Sequence, residues 1–280
     1  MDASTLGVLR DTALFSWLAI LTGALAYPLI RLLSTNRESR GKVRVEWVMT
    51  SDAVVVAAVV VVLLGGLQGA QPPSASEEEQ STALSITGAL TGIVVQLGIC
   101  TLLLAYLRML RGLAPVQLFG LRQMSLFRAI VMGVLLLLPM LMVINGSAYQ
   151  LHEWMKGFWP NLDGQDVAEA FRTSNDPAAK ALLAVSAVII APLVEEIVFR
   201  GFIYAVIKRH TDGIYAALCS SLLFATVHLH VGTLIPLALL ALFFCYMYER
   251  TGSLWMPMVL HGLFNGTSLA VMLLFPDVQP

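Results

Sequence analysis

An all-α protein, a polytopic bundle of about eight membrane-spanning helices, is the architecture this sequence predicts. Three observations carry the prediction. The 280 residues are 58% hydrophobic and only 12% charged, whereas soluble domains carry about 25% charged residues. The mean hydropathy is +0.78, and the apolar residues fall into successive runs long enough to cross a bilayer. The basic residues also gather in alternate connections. A net charge of −1 offers nothing to a nucleic-acid backbone. Cys100, Cys219 and Cys245 all lie in apolar segments and show no C-x-x-C spacing, so they read as packing residues.

The first run is about Thr12 to Leu33. Ala24-Leu25-Ala26 within it is similar to a signal-peptidase site, but apolarity continues to Leu33 and the basic cluster follows the run, so it reads as a transmembrane helix. The second run, about Asp52 to Leu67, is valine-rich and ends before Pro72-Pro73. The third, about Ala83 to Leu107, is closed by Arg108 and Arg111. The fourth is about Phe127 to Ala148. A long polar connection, His152 to Ala178, carries Trp154, Phe158 and Trp159 and is expected at headgroup level. The fifth run is about Ala178 to Ile207, the sixth Gly213 to Leu229, the seventh Val231 to Tyr248 and the eighth Leu254 to Phe275. Six or seven crossings result if two short runs are re-entrant. Asn145-Gly146-Ser147 and Asn265-Gly266-Thr267 are glycosylation-like triplets inside or beside apolar runs, where they read as chance matches.

Placing the connection after the first helix in the cytoplasm sets the orientation. Thirteen of the 17 Lys and Arg residues then face inward, among them Arg31, Arg37, Arg40, Lys42, Arg44, Lys208 and Arg209. Only Arg10, Lys156, Arg172 and Lys180 face the other side, so both termini are expected outside the cytoplasm.

The fifth run holds the anomaly. Glu195, Glu196 and Arg200 stand inside it, and a charge at bilayer depth costs roughly 2.5–3.5 kcal/mol. On a helix, Glu196 and Arg200 share a face and can pair, which leaves Glu195 rotated away by about 100°. Two other runs carry polar groups: Phe224 and His228 four apart on the sixth, His261 and Asn265 four apart on the eighth. Measured from the basic ends, Glu195, His228 and Asn265 lie about 20, 24 and 17 Å deep, which puts them at similar levels. A carboxylate beside an imidazole can take a proton from water, and His and Asn donors can stabilise a tetrahedral oxyanion. The set suits amide hydrolysis by an activated water without a covalent intermediate.

Blander readings stand beside this one. Glu195, Glu196 and Arg200 could be an ion cluster locking helices, His228 a satisfied core histidine, and His261 with Asn265 hydrogen-bond glue between helices. Phe224 reads as packing and His230 as a loop or interface residue. A zinc site built from Glu195, His228 and His261 is an alternative, although H-E-x-x-H is absent: after His152-Glu153, Lys156 stands where the second histidine belongs. No G-x-S-x-G occurs and no aspartate lies deep in a run. Glu and His chains also relay protons in transporters, a weaker option.

Glu-Glu-x-x-x-Arg at 195–200, Phe-x-x-x-His at 224–228 and His-x-x-x-Asn at 261–265 together resemble the CPBP intramembrane proteases, also called the CAAX prenyl protease 2, Rce1-type or Abi family. The resemblance covers about residues 178–270. It implies an eight-helix fold with a chamber inside the membrane, in which Glu195 and His228 activate water and His261 and Asn265 form the oxyanion site. Glu196, Arg200 and Phe224 would support them. No cofactor is implied, and zinc is the alternative.

In domain terms, residues 1–177 would hold helices 1–4 and the surface connection. Residues 178–275 would hold the protease-like core, within one continuous membrane domain. The expected function is that of an intramembrane endopeptidase acting on a membrane-associated or lipidated protein or peptide, in a bacterial plasma membrane. The competing function is a non-proteolytic scaffold or bacteriocin-immunity protein with no turnover. A complete set of catalytic positions favours the enzyme.

Overall fold

The computed structural model describes residues 41–69, 86–156, 177–228 and 231–274. Among these, every regular element is helical. A helix satisfies its own N–H and C=O groups, which hydrocarbon surroundings require. Helix α1 is Thr50–Gly69. Helix α2 is Ile86–Ala105 and closes in a π-helical turn, Tyr106–Leu110. Helix α3 is Leu126–Lys156, and α4 is the 34-residue Pro177–His210. Helices α5 (Gly213–Thr226), α6 (Leu234–Thr251) and α7 (Trp255–Leu274) follow. They match the second to eighth apolar runs in order. The first run, Thr12–Leu33, lies outside the described residues.

Among the described residues, five stretches are long and apolar enough to cross a membrane: Leu90–Leu110, Leu126–Gln150, Pro177–His210, Leu234–Thr251 and Trp255–Leu274. Thr50–Leu63 and Gly213–Thr226 are shorter apolar helices. Val54, Leu102, Leu135 and Met142 are 70–74% exposed, a surface suited to lipid and not to water. The chain is a polytopic helical membrane protein.

The boundaries differ from expectation in three places. Helix α1 continues through Gly65-Gly66 to Gly69. Helix α3 continues to Lys156, so His152 and Trp154 belong to it, whereas Phe158, Trp159 and the rest of 157–176 lie outside the described residues. Helix α5 stops at Thr226, with Val227 and His228 in a turn. Its start is fixed by Asp212, whose carboxylate accepts from the N–H groups of Ile214 and Tyr215 at 2.9 and 3.0 Å. Helix α6 ends on Gly252, which adopts the left-handed conformation (φ 73°) and donates to the Tyr248 carbonyl. The three cysteines are free, with Cys100 and Cys245 buried and Cys219 half-buried, in keeping with a packing role.

The chain forms two interleaved compact units: Met1–Ser74, Ile144–Leu162 and Phe199–Gly252 make the first, and Ala75–Val143, Asp163–Val198 and Ser253–Pro280 the second. In the first, Phe202, Phe224 and Phe244 are fully buried, and Phe199 meets Phe224 edge-on at 5.1 Å. The segment before α1 is tied to the ends of α4 and α6. Glu249 accepts from the Tyr204 hydroxyl and from the Lys208 ammonium. Its carboxylate also takes the Val43 N–H at 3.4 Å. Lys208 donates in addition to the Val43 carbonyl at 3.0 Å, and the Lys42 N–H reaches the Glu249 carbonyl at 3.0 Å. A Cβ on residue 41 would lie 1.5 Å from the Glu249 carboxylate, so a side chain there would push that carboxylate aside.

In the second unit, Pro192 decides how α4 meets α7. Proline has no N–H to give to the carbonyls four or five residues back, which here belong to Val188 and Ala187. Those carbonyls lie in a π-helical turn, Ser186–Ile190. Asn265 on α7 donates its side-chain amide to the Ala187 carbonyl at 2.8 Å. Neighbouring helices commonly satisfy carbonyls that a membrane proline frees. Gly262 lets the two backbones close up: a Cβ there would stand 2.7 Å from the Val188 carbonyl oxygen. One turn on, a Cβ at Gly266 would make ordinary contact with the Val188 side chain at 3.5 Å.

Two outcomes test this account. Gly262→Ala should cost about 1–3 kcal/mol, the range for overpacking, and lower the thermal midpoint in detergent, because backbone cannot yield as a side chain would. Gly266→Ala should leave the midpoint near wild type; equal losses at both positions would refute the close approach at 262. Separately, Glu249→Ala should destabilise by about 3 kcal/mol, at the low end for breaking a buried pair, since its side chain keeps 18% exposure. A double-mutant cycle with Lys208→Met should show clear non-additivity; additive losses would mean the two side chains are not coupled.

Candidate active site

The second unit gathers three of the four expected catalytic residues on two helices. Helix α4 carries Glu195 and Glu196 two turns beyond the Asn265 anchor at Ala187, and α7 carries His261 one turn before Asn265. The helices therefore run antiparallel, and His261 comes level with the two glutamates. Its Nδ1 lies 3.0 Å from Oε1 of Glu196. Its Nε2 lies 3.8 Å from Oε2 of Glu195. The imidazole stands between two carboxylates, hydrogen-bonded to one and a water-bridging distance from the other.

Burial separates the two acids. The Glu196 side chain is fully buried and the His261 side chain 5% exposed, whereas that of Glu195 keeps 22% exposure. Glu195 is thus the carboxylate that water and a substrate can reach. A fully buried Glu196 must find its partners inside the protein, and the imidazole is one.

The sequence pattern pairs Glu196 with Arg200, and each also has a partner within its own unit. Arg200 donates Nη2 to the Ala241 carbonyl at 3.3 Å. Its guanidinium lies over the rings of Phe224 and Phe244 at 4.5 and 5.3 Å, a cation–π arrangement. Phe224 therefore does more than pack. The uniform α-helix behind the pairing argument is also corrected: Ile197–Ile203 is π-helical, a form frequent at functional sites.

His228 belongs to the first unit and is exposed, just past the end of α5. It does not lie within a helical span, as the depth reckoning assumed. Its Nδ1 is 2.7 Å from the Phe224 carbonyl and its ring packs 4.7 Å from that of Phe224. A carbonyl only accepts, so Nδ1 carries the hydrogen and Nε2 of the neutral ring is an acceptor. His230 lies outside the described residues. Among the described residues, no three His, Cys, Asp or Glu side chains are grouped as metal ligands.

The sequence reading missed the Glu196–His261 contact and the part played by Pro192 and Gly262. A signal for the second was present. Gly262-Leu263-Phe264-Asn265-Gly266 is a G-x-x-x-G pattern, which marks close helix approach in membranes.

The likeness to known proteins falls on the stretch from α4 into α7. Residues 177–267 match the family model described as "Type II CAAX prenyl endopeptidase Rce1-like". The chain is 32% identical over 95 residues to a protein of Bacillus subtilis (strain 168) named "Putative membrane peptidase YdiL". The aligned stretch is 34% of this chain and 38% of that relative, so the likeness spans well under half of either. No solved structure matches. The matched stretch contains every residue of the three motifs, and over it the chain is similar to the Rce1-like proteins.

Proposed function

We propose that the protein is an intramembrane endopeptidase that hydrolyses a peptide bond with a water activated by Glu195. One observation carries the reading: a reachable carboxylate faces an imidazole that a second, fully buried carboxylate holds from behind. Glu195 takes a proton from water and the resulting hydroxide adds to the scissile carbonyl. Asn265 spends one amide hydrogen on Ala187 and has a second to offer the oxyanion. His261 can join it only with a hydrogen on Nε2. His228, whose Nε2 is an acceptor, completes the set that the resemblance implies, as an aid to water activation. Collapse of the intermediate releases the acid and the amine, and no covalent enzyme intermediate forms.

The substrate class is a membrane-associated or lipidated protein or peptide presented from the bilayer, and the setting a bacterial plasma membrane with both termini outside the cytoplasm. The competing zinc reading would ligate the metal through Glu195, His228 and His261.

The test is turnover of a quenched-fluorescent peptide by the protein in proteoliposomes. Glu195→Gln and His228→Gln should each lower kcat by about 10²–10⁴-fold, the usual contribution of a proton-transfer group. Activity should survive exhaustive dialysis against chelator. Stoichiometric zinc, lost with activity and restored with it, would establish the metalloprotease instead. Full turnover by Glu195→Gln would overturn Glu195 as the base, and no cleavage of any membrane-embedded peptide by the wild type would leave the scaffold reading.

A further inference from the structure

We propose that the face of the first unit around Glu249 is a binding site for the headgroup of an anionic phospholipid. Such a site would exist whether or not the protein is a peptidase. Val43, Lys208 and Glu249 are tied together in a clasp, and each has an exposed cation beside it in the chain. Lys42 and Arg44 flank Val43, Arg209 follows Lys208, and Arg250 follows Glu249. Exposure alternates residue by residue from Lys42 to Trp47, as in an extended chain, so burying Val43 turns Lys42 and Arg44 outward. The Lys42 N–H donates to the Glu249 carbonyl at 3.0 Å, and that carbonyl belongs to the peptide bond leading into Arg250. The Lys208 ammonium donates to the Val43 carbonyl at 3.0 Å, whose peptide bond leads into Arg44. Three segments far apart in sequence thereby bring four cations around one buried knot.

Charge and level decide the ligand. Among the described residues, no carboxylate pairs with any of the four cations. Glu249 is committed to Lys208 and Tyr204, and Asp212 to the first turn of α5. Glu46 is the exposed acid in the stretch before α1. Four cations against one acid favour an anion, and guanidinium and ammonium groups are donors suited to phosphate oxygens. Aromatic residues mark the depth. Tyr246, one turn before Arg250, is 56% exposed, and the Arg250 guanidinium stands 6.0 Å over its ring. Trp47 stacks on Phe202 at 6.4 Å and donates Nε1–H to the Arg44 carbonyl at 3.0 Å. Tyrosine and tryptophan concentrate where the membrane meets water, and two helices long enough to cross it end here. The cations therefore lie at the level of lipid phosphates. A zwitterionic lipid carries the same phosphate but would bring its own cation to this face, so a net negative headgroup fits better.

The test uses the full-length protein in neutral detergent, with native mass spectrometry reading the bound lipid. Phosphatidylglycerol should bind about tenfold or more tighter than phosphatidylcholine, and added salt should erode the difference. Arg44→Gln, Arg209→Gln and Arg250→Gln should each weaken phosphatidylglycerol binding about fivefold. Arg108→Gln and Arg128→Gln, which remove exposed cations of the second unit, should leave it unchanged. Glu249→Ala separates a built site from plain attraction. It makes the protein more positive, so net charge alone predicts tighter binding, whereas opening the clasp disperses the cations and predicts a loss of about fivefold or more. Should that variant not fold, the three surface substitutions decide, because they remove no buried contact. Tighter binding by Glu249→Ala, or equal losses at Arg108 and Arg128, would overturn the site. Equal affinity for phosphatidylcholine would overturn it too. Inorganic phosphate or an oligoglutamate peptide binding as tightly as phosphatidylglycerol would make the face a general anion or acidic-peptide surface instead.

Discussion

The missing N–H of Pro192 is the constraint on which the site geometry depends. An apolar helix interior normally closes its own hydrogen bonds. Here the proline leaves carbonyls at Ala187 and Val188 without their usual donor, in a turn that is already π-helical. Asn265 answers one of them, and Gly262 brings α7 against the other. Once Asn265 is anchored, the i,i+4 spacing on α7 leaves little freedom for His261, which comes to rest between Glu195 and Glu196. The arrangement of the candidate site is thus a consequence of a backbone defect and its repair.

That arrangement also addresses an energetic problem. Two adjacent carboxylates in an apolar span are costly to bury. Glu196 is wholly buried and hydrogen-bonded to a ring nitrogen, whereas Glu195 keeps contact with the outside. Neighbouring residues of one type thereby acquire different work: one acid is available to water, the other is committed to the imidazole. In the first unit Arg200 is handled by other means, with aromatic faces above it and a backbone carbonyl at its tip.

Much of this was legible in the sequence because hydropathy in a membrane protein carries a strong signal. Each of α1 to α7 falls where an apolar run predicts a helix, and two of the three polar motifs lie on α4 and α7. What escaped had local causes. The reckoning of helix faces around Glu195 and Glu196 assumed an unbroken α-helix, whereas π turns flank that pair on both sides. Hydropathy is blind to such turns. The depth argument for His228 assumed that α5 runs to Leu229, but the helix ends at Thr226 and His228 caps it through the Phe224 carbonyl. Pro192 and Gly262 are small or apolar and carry no charge, so a search for chemistry passed over the two residues that set the geometry.

The clasp at Glu249 bears on the order in which the chain can mature. Val43 is held by a side chain 206 residues further on. At a synthesis rate of about 5–20 residues per second, that partner emerges on the order of ten to forty seconds later. Until then the stretch from Gly41 to Val48 has neither Lys208 nor Glu249 to bind, and α1 enters the membrane with its leading segment unmoored. The first compact unit, although it contains the early part of the chain, is therefore not completed until Glu249 has been made. A nascent protein interrupted before Glu249 would lack both α7 and the knot that joins the stretch from Gly41 to the end of α6.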